Sequence, residues 1–440
     1  MSQQVNIEGN SRNFKGTSLI VRLKDVVLSL RDGTHGSFQR VEFGRPLLSA
    51  KNIKGGRLIV SDSESYISEI DNAEVTKNGA FRAGDVLLTI VGTLGGVACL
   101  EVDGLAFQRS VASIRPSKDI DGRYLYWCLT DVSTLDQINS RVKTTAQSGL
   151  YLGEVRQLQI LMRSKEEQIA IADSLDKMTA IIDKQRVLLE RKKALLQEHK
   201  KALIHEAVTK GLTPGVAMKP SGVDRIGDVP CDWRVSRVKD LMNIRGGGTP
   251  SAEHIFAQDE CINGVPWATP SDYQDDICDI SKTQRVISIE GWNLIGKSFA
   301  SENALLVSCR APIGKIGYVK NGVSFNQGCK ALQVNHAILD SRFAHYSLIA
   351  SVKKMHELGR GTTFQEISST NLGRVEVALP PLREQYEIAE YLDKVSSSIS
   401  RAQELLERKI TLLRDIRFSL IHEAVTQGVP ASVDQSLSRA

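Results

Sequence analysis

No uninterrupted apolar run in this chain approaches the ~20 residues needed to cross a bilayer. The first residues, MSQQVNIEGNSRNFKG, are polar and hold no apolar signal-peptide core. Cysteine is sparse, seven residues with no CxxC pair. That odd, scattered set fits reduced thiols and a cytoplasmic location. Catalytic signatures are missing too. There is no GxGxxG following a strand, no Walker-type phosphate loop, no GxSxG and no cluster of metal-ligand spacing. RGGGTPS (245–251) lacks the GK-Ser/Thr ending that grips a phosphate, and ALPPL (378–382) lacks the Asn/Asp and the aromatic of an amino-methyltransferase motif. Pro380 and Pro381 read instead as the rigid lead-in to a helix. These gaps point to a binder without a reaction of its own. A net charge of +5 and a pI near 8.7 permit a nucleic-acid partner without establishing one.

What the chain does contain is a repeat. LIHEAVT stands at Leu203–Thr209 and again at Leu420–Thr426, an offset of 422 − 205 = 217 between the histidines. At that offset EEQIAIADSLDK matches REQYEIAEYLDK, LLERKKALL matches LLERKITLL, and AVTKG matches AVTQG. The 440 residues suffice for roughly two to four domains, and the repeat unit is half of them, so the chain is a duplication rather than a solenoid.

The repeated element reads as a long helix. Leu175, Met178, Ile182, Gln185, Leu189, Lys192, Leu196, His199 and Leu203 follow steps of three and four, the seam of a coiled coil. The second copy gives Leu392, Val395, Ile399, Ala402, Leu406, Lys409, Leu413, Ile416 and Leu420. Gly211 and Gly428 sit where a C-cap would end each helix. Some 40 residues make a rod of roughly 60 Å, whose apolar stripe is most simply buried against its duplicate, antiparallel. Lys192 and Lys409 in the seam either fix register or snorkel out of its edge. His205 and His422 begin HEAVT rather than HExxH, which disfavours zinc, and no metal is expected.

Between the rods lie two segments that echo each other more weakly. LKDVVLSLRDGTH (23–35) aligns with VKDLMNIRGGGTP (238–250), GDVLLTIVGTLGGVAC (84–99) with ENALLVSCRAPIGKIGY (302–318), and AFQRSVASI (106–114) with SFNQGCKAL (324–332). VLLTIV and ALLVS read as strands, YLYWCL and AHYSLIASV as short helices, so each segment is mixed α+β. RGGGTPS, SCRAPIGK (308–315) and LGRGTTFQ (358–365) are either ordinary surface turns or loops suited to phosphate and base contacts.

LPPLREQYEIAEYLD (379–393), the paired LIHEAVT helices, IGDVPCDWRVSRVKDL (226–241), GGTP (247–250) and the run GTTFQEIS to VALPPL (361–382) together resemble the specificity subunits of type I restriction–modification systems. The resemblance implies an α+β, pseudo-twofold molecule: two similar mixed α/β target-recognition domains separated by two long antiparallel coiled-coil helices. It places the first domain at 1–164, the central helix at 165–212, the second domain at 213–381, the C-terminal helix at 382–430 and a tail at 431–440. The implied function is non-catalytic reading of a bipartite, asymmetric target in double-stranded DNA. The implied partners are two modification (methyltransferase) subunits and, through the complex, restriction subunits, with no membrane. S-adenosylmethionine, ATP and Mg are expected on those partners and no cofactor on this chain.

Candidate DNA contacts are Thr34, Thr93, Gln108, Arg109 and Gln147 in the first domain. In the second they are Gly248, Thr249, Arg310, Lys315, Gln327, Lys330, Arg360, Thr362 and Thr363. The first copy departs from the pattern in three places. It has LMRSKEEQ (161–168) for PPLREQ, RDGTH for GGTP, and no VPxxW opening. Two other classes of function compete: a self-contained DNA methyltransferase or nuclease with unrecognised motifs, and a structural coiled-coil scaffold that binds no DNA.

Overall fold

The computed structural model describes residues 19–429 apart from 62–63, 78–80, 143–148, 262, 274–277, 281, 311 and 360–364. It divides into two compact units. One comprises Met1–Leu188 with Lys409–Ala440, the other Leu189–Arg408. No helix among the described residues is long and apolar enough to cross a membrane.

In the first unit β1 (Val27–Asp32), β2 (Val86–Thr89), β3 (Val97–Cys99) and β4 (Val111–Pro116) form a sheet in the order β1-β4-β2-β3. The second unit repeats it with β5 (Met242–Gly246), β6 (Leu305–Ser308), β7 (Ile316–Tyr318) and β8 (Cys329–Val334), ordered β5-β8-β6-β7 and extended by Cys278–Asp279. Strands β2 and β6 are buried at every position, as their unbroken VLLT and LLVS runs require. Each unit also carries a smaller sheet that includes a parallel pair, Leu47–Leu48 with Ala106–Phe107 and Trp267–Ala268 with Ser324–Phe325.

One difference resets the alignment of the two halves. β5 pairs with β8 without interruption, but β1 skips a residue against β4. Ser29 faces Arg115 and Val27 faces Pro116, which leaves Leu28 as an unpaired, exposed bulge. The ungapped match of RDGTH to GGGTP is therefore off by one past this point. Gly33 holds the place of Gly247, Thr34 that of Gly248 and His35 that of Thr249. The bonds agree: Thr34 N–H donates to Phe107 O at 2.7 Å and Gly248 N–H to Phe325 O at 3.0 Å.

Each unit also contains a short helix before a long one. α1 (Gly122–Thr130) and α3 (Ser341–Ala350) are N-capped by Asp121 and Asp340, whose carboxylates accept two backbone N–H bonds each. α2 (Lys165–Lys210) and α4 (Leu382–Gln427) have 46 residues each. Both end as expected. Gly211 and Gly428 adopt φ of 78° and 99° and donate to Ala207 O and Ala424 O, closing the last turn.

The glutamine shared by EEQ and REQ ties each long helix to its domain. Gln168, fully buried, donates from Nε2 to Asp119 O and Arg163 O and accepts from Asp121 N–H. Gln385, equally buried, donates to Ile338 O and Pro380 O and accepts from Asp340 N–H. Replacing PPLREQ by LMRSKEEQ thus leaves the joint unchanged. Around it Arg123 and Trp127 bond Asp173 and Asp176 in the first unit, while Arg342 and Tyr346 bond Asp393 in the second.

The helices run antiparallel within each unit. In the second, Lys193 pairs with Glu407 and Gln403 with Gln197, so numbers rise on one helix as they fall on the other. In the first, Arg417 lies 3.6 Å from Asp183. The seam needs correction. Leu175, Ile182, Leu392, Ile399, Leu406 and Leu420 are buried, and Leu189, Leu196, Leu203 and Leu413 are half-buried. The alternate positions, however, lie four residues on, not three. Thr179, Lys200 and Ser396 are buried and Arg186, Lys193, Gln403, Ile410 and Arg417 half-buried, whereas Lys192 and Lys409 are exposed and Ile416 is 45% exposed. Met178 and Val395 are half-buried beside this line. Apolar periodicity misplaced the stripe because half of the true seam is polar. Neither Lys192 nor Lys409 sets register or snorkels from a seam.

Candidate nucleic-acid interface

Three backbone turns meet at one edge of the main sheet in each unit. In the first unit they are the loop after β1, the turn before β4 and the β2–β3 turn. Thr34 bridges Gln108, Arg109 N–H donates to Thr34 O at 3.0 Å, and Ile90 N–H to Ser110 O at 2.9 Å. Gly33 is required here, since a Cβ would lie 2.2 Å from Phe107 O. The β2–β3 turn closes on Thr89, whose O accepts Gly95 N–H and whose Oγ1 accepts Gly96 N–H at 2.7 Å. Thr93 and Arg109 are exposed at these turns, with Thr34 and Gln108 half-buried.

The second unit builds the same frame. Gly247 would bring a Cβ to 2.2 Å from Asn326 O. Cys309 N–H donates to Gly328 O at 2.7 Å, and Ser308 takes the role of Thr89, accepting Gly314 N–H on O and Lys315 N–H on Oγ1. Val91 pairs with Gly149 in one unit as Arg310 pairs with Glu366 in the other. Correspondence therefore runs Thr34 to Gly248, Gln108 to Asn326, Arg109 to Gln327, Val91 to Arg310 and Gly96 to Lys315. The frame is shared and the side chains on it differ.

Several sequence candidates fall into place and others do not. Thr249, Arg310 and Gln327 are exposed on the second cluster, with Arg310 Nε 3.0 Å from Glu366. Gly248 is spent internally. Its N–H binds Phe325 O, its carbonyl accepts from Trp267 Nε1 at 3.1 Å, and Ile295 packs against its α-carbon, so it has no amide left for a phosphate. Lys315 is half-buried and donates from Nζ to Tyr273 O at 3.3 Å. Lys330 is half-buried within β8, opposite Gly246 and Val307. Gln147, Arg360, Thr362 and Thr363 lie outside the described residues. Sequence reasoning passed over Asn326 and His35. The pairing of AFQRS with SFNQG held Asn326 opposite Gln108, but His35 needed the bulge at Leu28 to be seen.

The chemistry beneath the second cluster is inert. Burial pushes the Cys309 thiol up to about 12 and the Cys329 thiol up to about 11, so neither is a thiolate at neutral pH. The twin histidines have separate partners: His205 Nε2 donates to Arg225 O and His422 Nδ1 to Asp131 Oδ1, each at 3.0 Å. No group of three metal-ligating side chains stands together among the described residues.

Comparison with known proteins agrees with this architecture. The model of the type I restriction modification DNA specificity domain family matches residues 230–408, most of the second unit. The MjaX type I restriction enzyme specificity subunit of Methanocaldococcus jannaschii is 24% identical over 88% of this chain and 90% of its own length. The MjaVIII specificity subunit of the same organism is 23% identical over 80% of each chain. Among solved structures, a chain from work on complex assembly and conformational transition of the type I R-M system superposes with a TM-score of 0.71, over 94% of this chain and 98% of that one, at 17% identity. Duplicated helices, twin loop clusters and relatives matched over most of their length converge: the chain is similar throughout to type I restriction–modification specificity subunits, and its second unit matches their DNA specificity domain.

Proposed function

We propose that each unit reads one half of a bipartite, asymmetric duplex DNA target with its three-turn cluster. The chain carries no reaction of its own. It directs two modification subunits, and through them restriction subunits, and those partners hold S-adenosylmethionine, ATP and Mg. The observation that carries this reading is the pair of matched frames bearing unmatched side chains. Backbone bonds fix where the side chains stand. From equivalent places Arg109 offers a guanidinium where Gln327 offers an amide, Gln108 carries its amide one methylene further out than Asn326, and Val91 is apolar where Arg310 is a donor. Arg and Asn/Gln are the side chains best suited to bidentate contacts with guanine and adenine in the major groove.

Methylome sequencing of cells expressing this chain with its modification subunit tests the proposal. The expected product is one split motif with two unlike halves. Arg109→Gln should alter or relax the first half and leave the second unchanged. A single continuous motif, or methylation by the purified chain alone, would overturn the reading. Gel shifts should weaken steeply with added salt, as phosphate contacts demand.

A further inference from the structure

Arg310 and Glu366 meet on the second cluster although they stand 56 residues apart in the chain. Their backbones form an isolated antiparallel bridge, and Ile367 N–H donates to Cys309 O at 2.9 Å. Residues directly opposite in an antiparallel pair put their side chains on one face, so backbone pairing sets the two groups side by side. Arg310 Nε donates to Glu366 Oε2 at 3.0 Å. The two side chains keep 48% and 41% of their surface open. With Nε held, the Nη1/Nη2 fork has no acceptor among the described residues, and Glu366 Oε1 has no donor there.

Asn326 completes this edge. Its Oδ1 accepts the Gly328 N–H at 3.0 Å, so the amide nitrogen Nδ2 is the group left to donate. A Cβ on Gly328 would stand 3.7 Å from both Arg310 Cδ and Asn326 Nδ2, so the two side chains flank the same glycine. The edge is therefore rich in donors, with one carboxylate at its side. The first unit has nothing comparable at the matching bridge, where Val91 pairs with Gly149 and neither residue carries a charge. The ion pair belongs to the second cluster.

We propose, on the reading of this cluster as a DNA surface, that Arg310 and Glu366 together read one G·C pair of the second half-site. In the major groove the edge of G·C runs acceptor N7, acceptor O6, donor N4 amine. The protein edge is its complement, two donors on the Arg310 fork and the Glu366 carboxylate beside them. Arg310 takes guanine N7 and O6 bidentately, and Glu366 accepts from the cytosine N4 amine. Glu366 is also a positioning residue, because its hold on Nε leaves the Nη1/Nη2 fork as the edge that faces the base. An A·T pair would set the adenine N6 amine against the fork and the thymine O4 against the carboxylate, so both contacts fail. A lone arginine would serve a backbone phosphate equally well, but a carboxylate at its side repels that anion.

Methylome sequencing of cells expressing the full chain with its modification subunit locates the pair, and competition gel shifts of the assembled complex on that motif test the contact. The second half should contain a G·C position that Arg310→Ala and Glu366→Ala each relax while every other position stays fixed. Replacing that guanine by 7-deazaguanine removes N7 alone. It should weaken binding of the parent about tenfold and of Arg310→Ala less than about twofold. Arg310→Lys keeps the charge without the fork and should lose the discrimination as the alanine variant does. All three changes are at the surface and should melt like the parent, which separates readout from folding. A split motif whose second half is unchanged in these variants overturns this proposal and leaves the cluster reading standing. A continuous motif sinks the cluster reading and the proposal with it. Equal weakening of every duplex by Arg310→Ala, restored by Arg310→Lys, would make Arg310 a phosphate contact and also overturn the assignment.

Discussion

Gly247 and its neighbour Gly246 offer a sharp test of the loop frame. A Cβ on Gly247 would stand 2.2 Å from Asn326 O and 2.4 Å from Phe325 O, while a Cβ on Gly246 meets nothing within 4 Å. Both obstructing atoms are backbone, so no side chain can swing aside. Reaching ordinary contact requires the loop after β5 to retreat by about 1 Å, which pulls Gly248 N–H from the Phe325 carbonyl it binds at 3.0 Å. Overpacking costs ~1–3 kcal/mol and the stretched hydrogen bond adds about 1. Gly247→Ala should thus lower the stability of the second unit by roughly 2–4 kcal/mol and displace Thr249. If that cluster reads DNA, affinity for the target should fall about 10–100-fold, the equivalent of ~1.4–2.8 kcal/mol. The loss should vanish on duplexes whose second half-site is already scrambled. Gly33→Ala, with a Cβ 2.2 Å from Phe107 O, should do the same for the first half-site. Urea unfolding and competition gel shifts at fixed salt measure both effects. Identical behaviour of Gly246→Ala and Gly247→Ala would show that the turns are not held as described.

Further outcomes follow from the packing. Gln168→Leu and Gln385→Leu each orphan three buried backbone groups, so each should cost ~3–5 kcal/mol, agree to within about 1, and expose the Asp121 or Asp340 amide to hydrogen exchange. A loss below ~1 kcal/mol in either would contradict the joint. Leu406→Ala should cost ~2–4 kcal/mol, whereas Lys409→Ala, now placed in solvent, should stay within ~0.5 by calorimetric melting. Equal effects would restore the seam as read from apolar spacing. His345 titrates near 4 when folded and near 6.5 as a model group. Its folded pKa is depressed, so the unfolded chain binds the proton first, and stability is full above about 6.5 and lost as pH falls toward 4. At pH 5 that loss is ~2 kcal/mol relative to pH 7, and His345→Tyr should abolish this part of the decline. A parent and variant with parallel pH–stability curves would refute it.

The sequence by itself determined the duplication, the two long helices with their glycine caps, and the strand runs, because identity at a constant offset and local backbone preference need no knowledge of the fold. It also located the turns that carry Thr249, Arg310 and Arg109. Three matters were settled only by tertiary structure. The seam phase depends on what each face packs against, and Thr179, Lys200 and Ser396 are buried despite being polar, so an apolar count could not see them. The off-by-one at Leu28 is a property of pairing between strands distant in sequence, which made Gly33 the counterpart of Gly247 and left Gly248 bound to Trp267 and Ile295 instead of free. Tyr126 of one half has become His345 in the other, and His345 lies beside a cavity lined by residues of α2, α3 and Val352–Leu358. Those elements lie far apart along the chain, and only their packing brings the lining residues together.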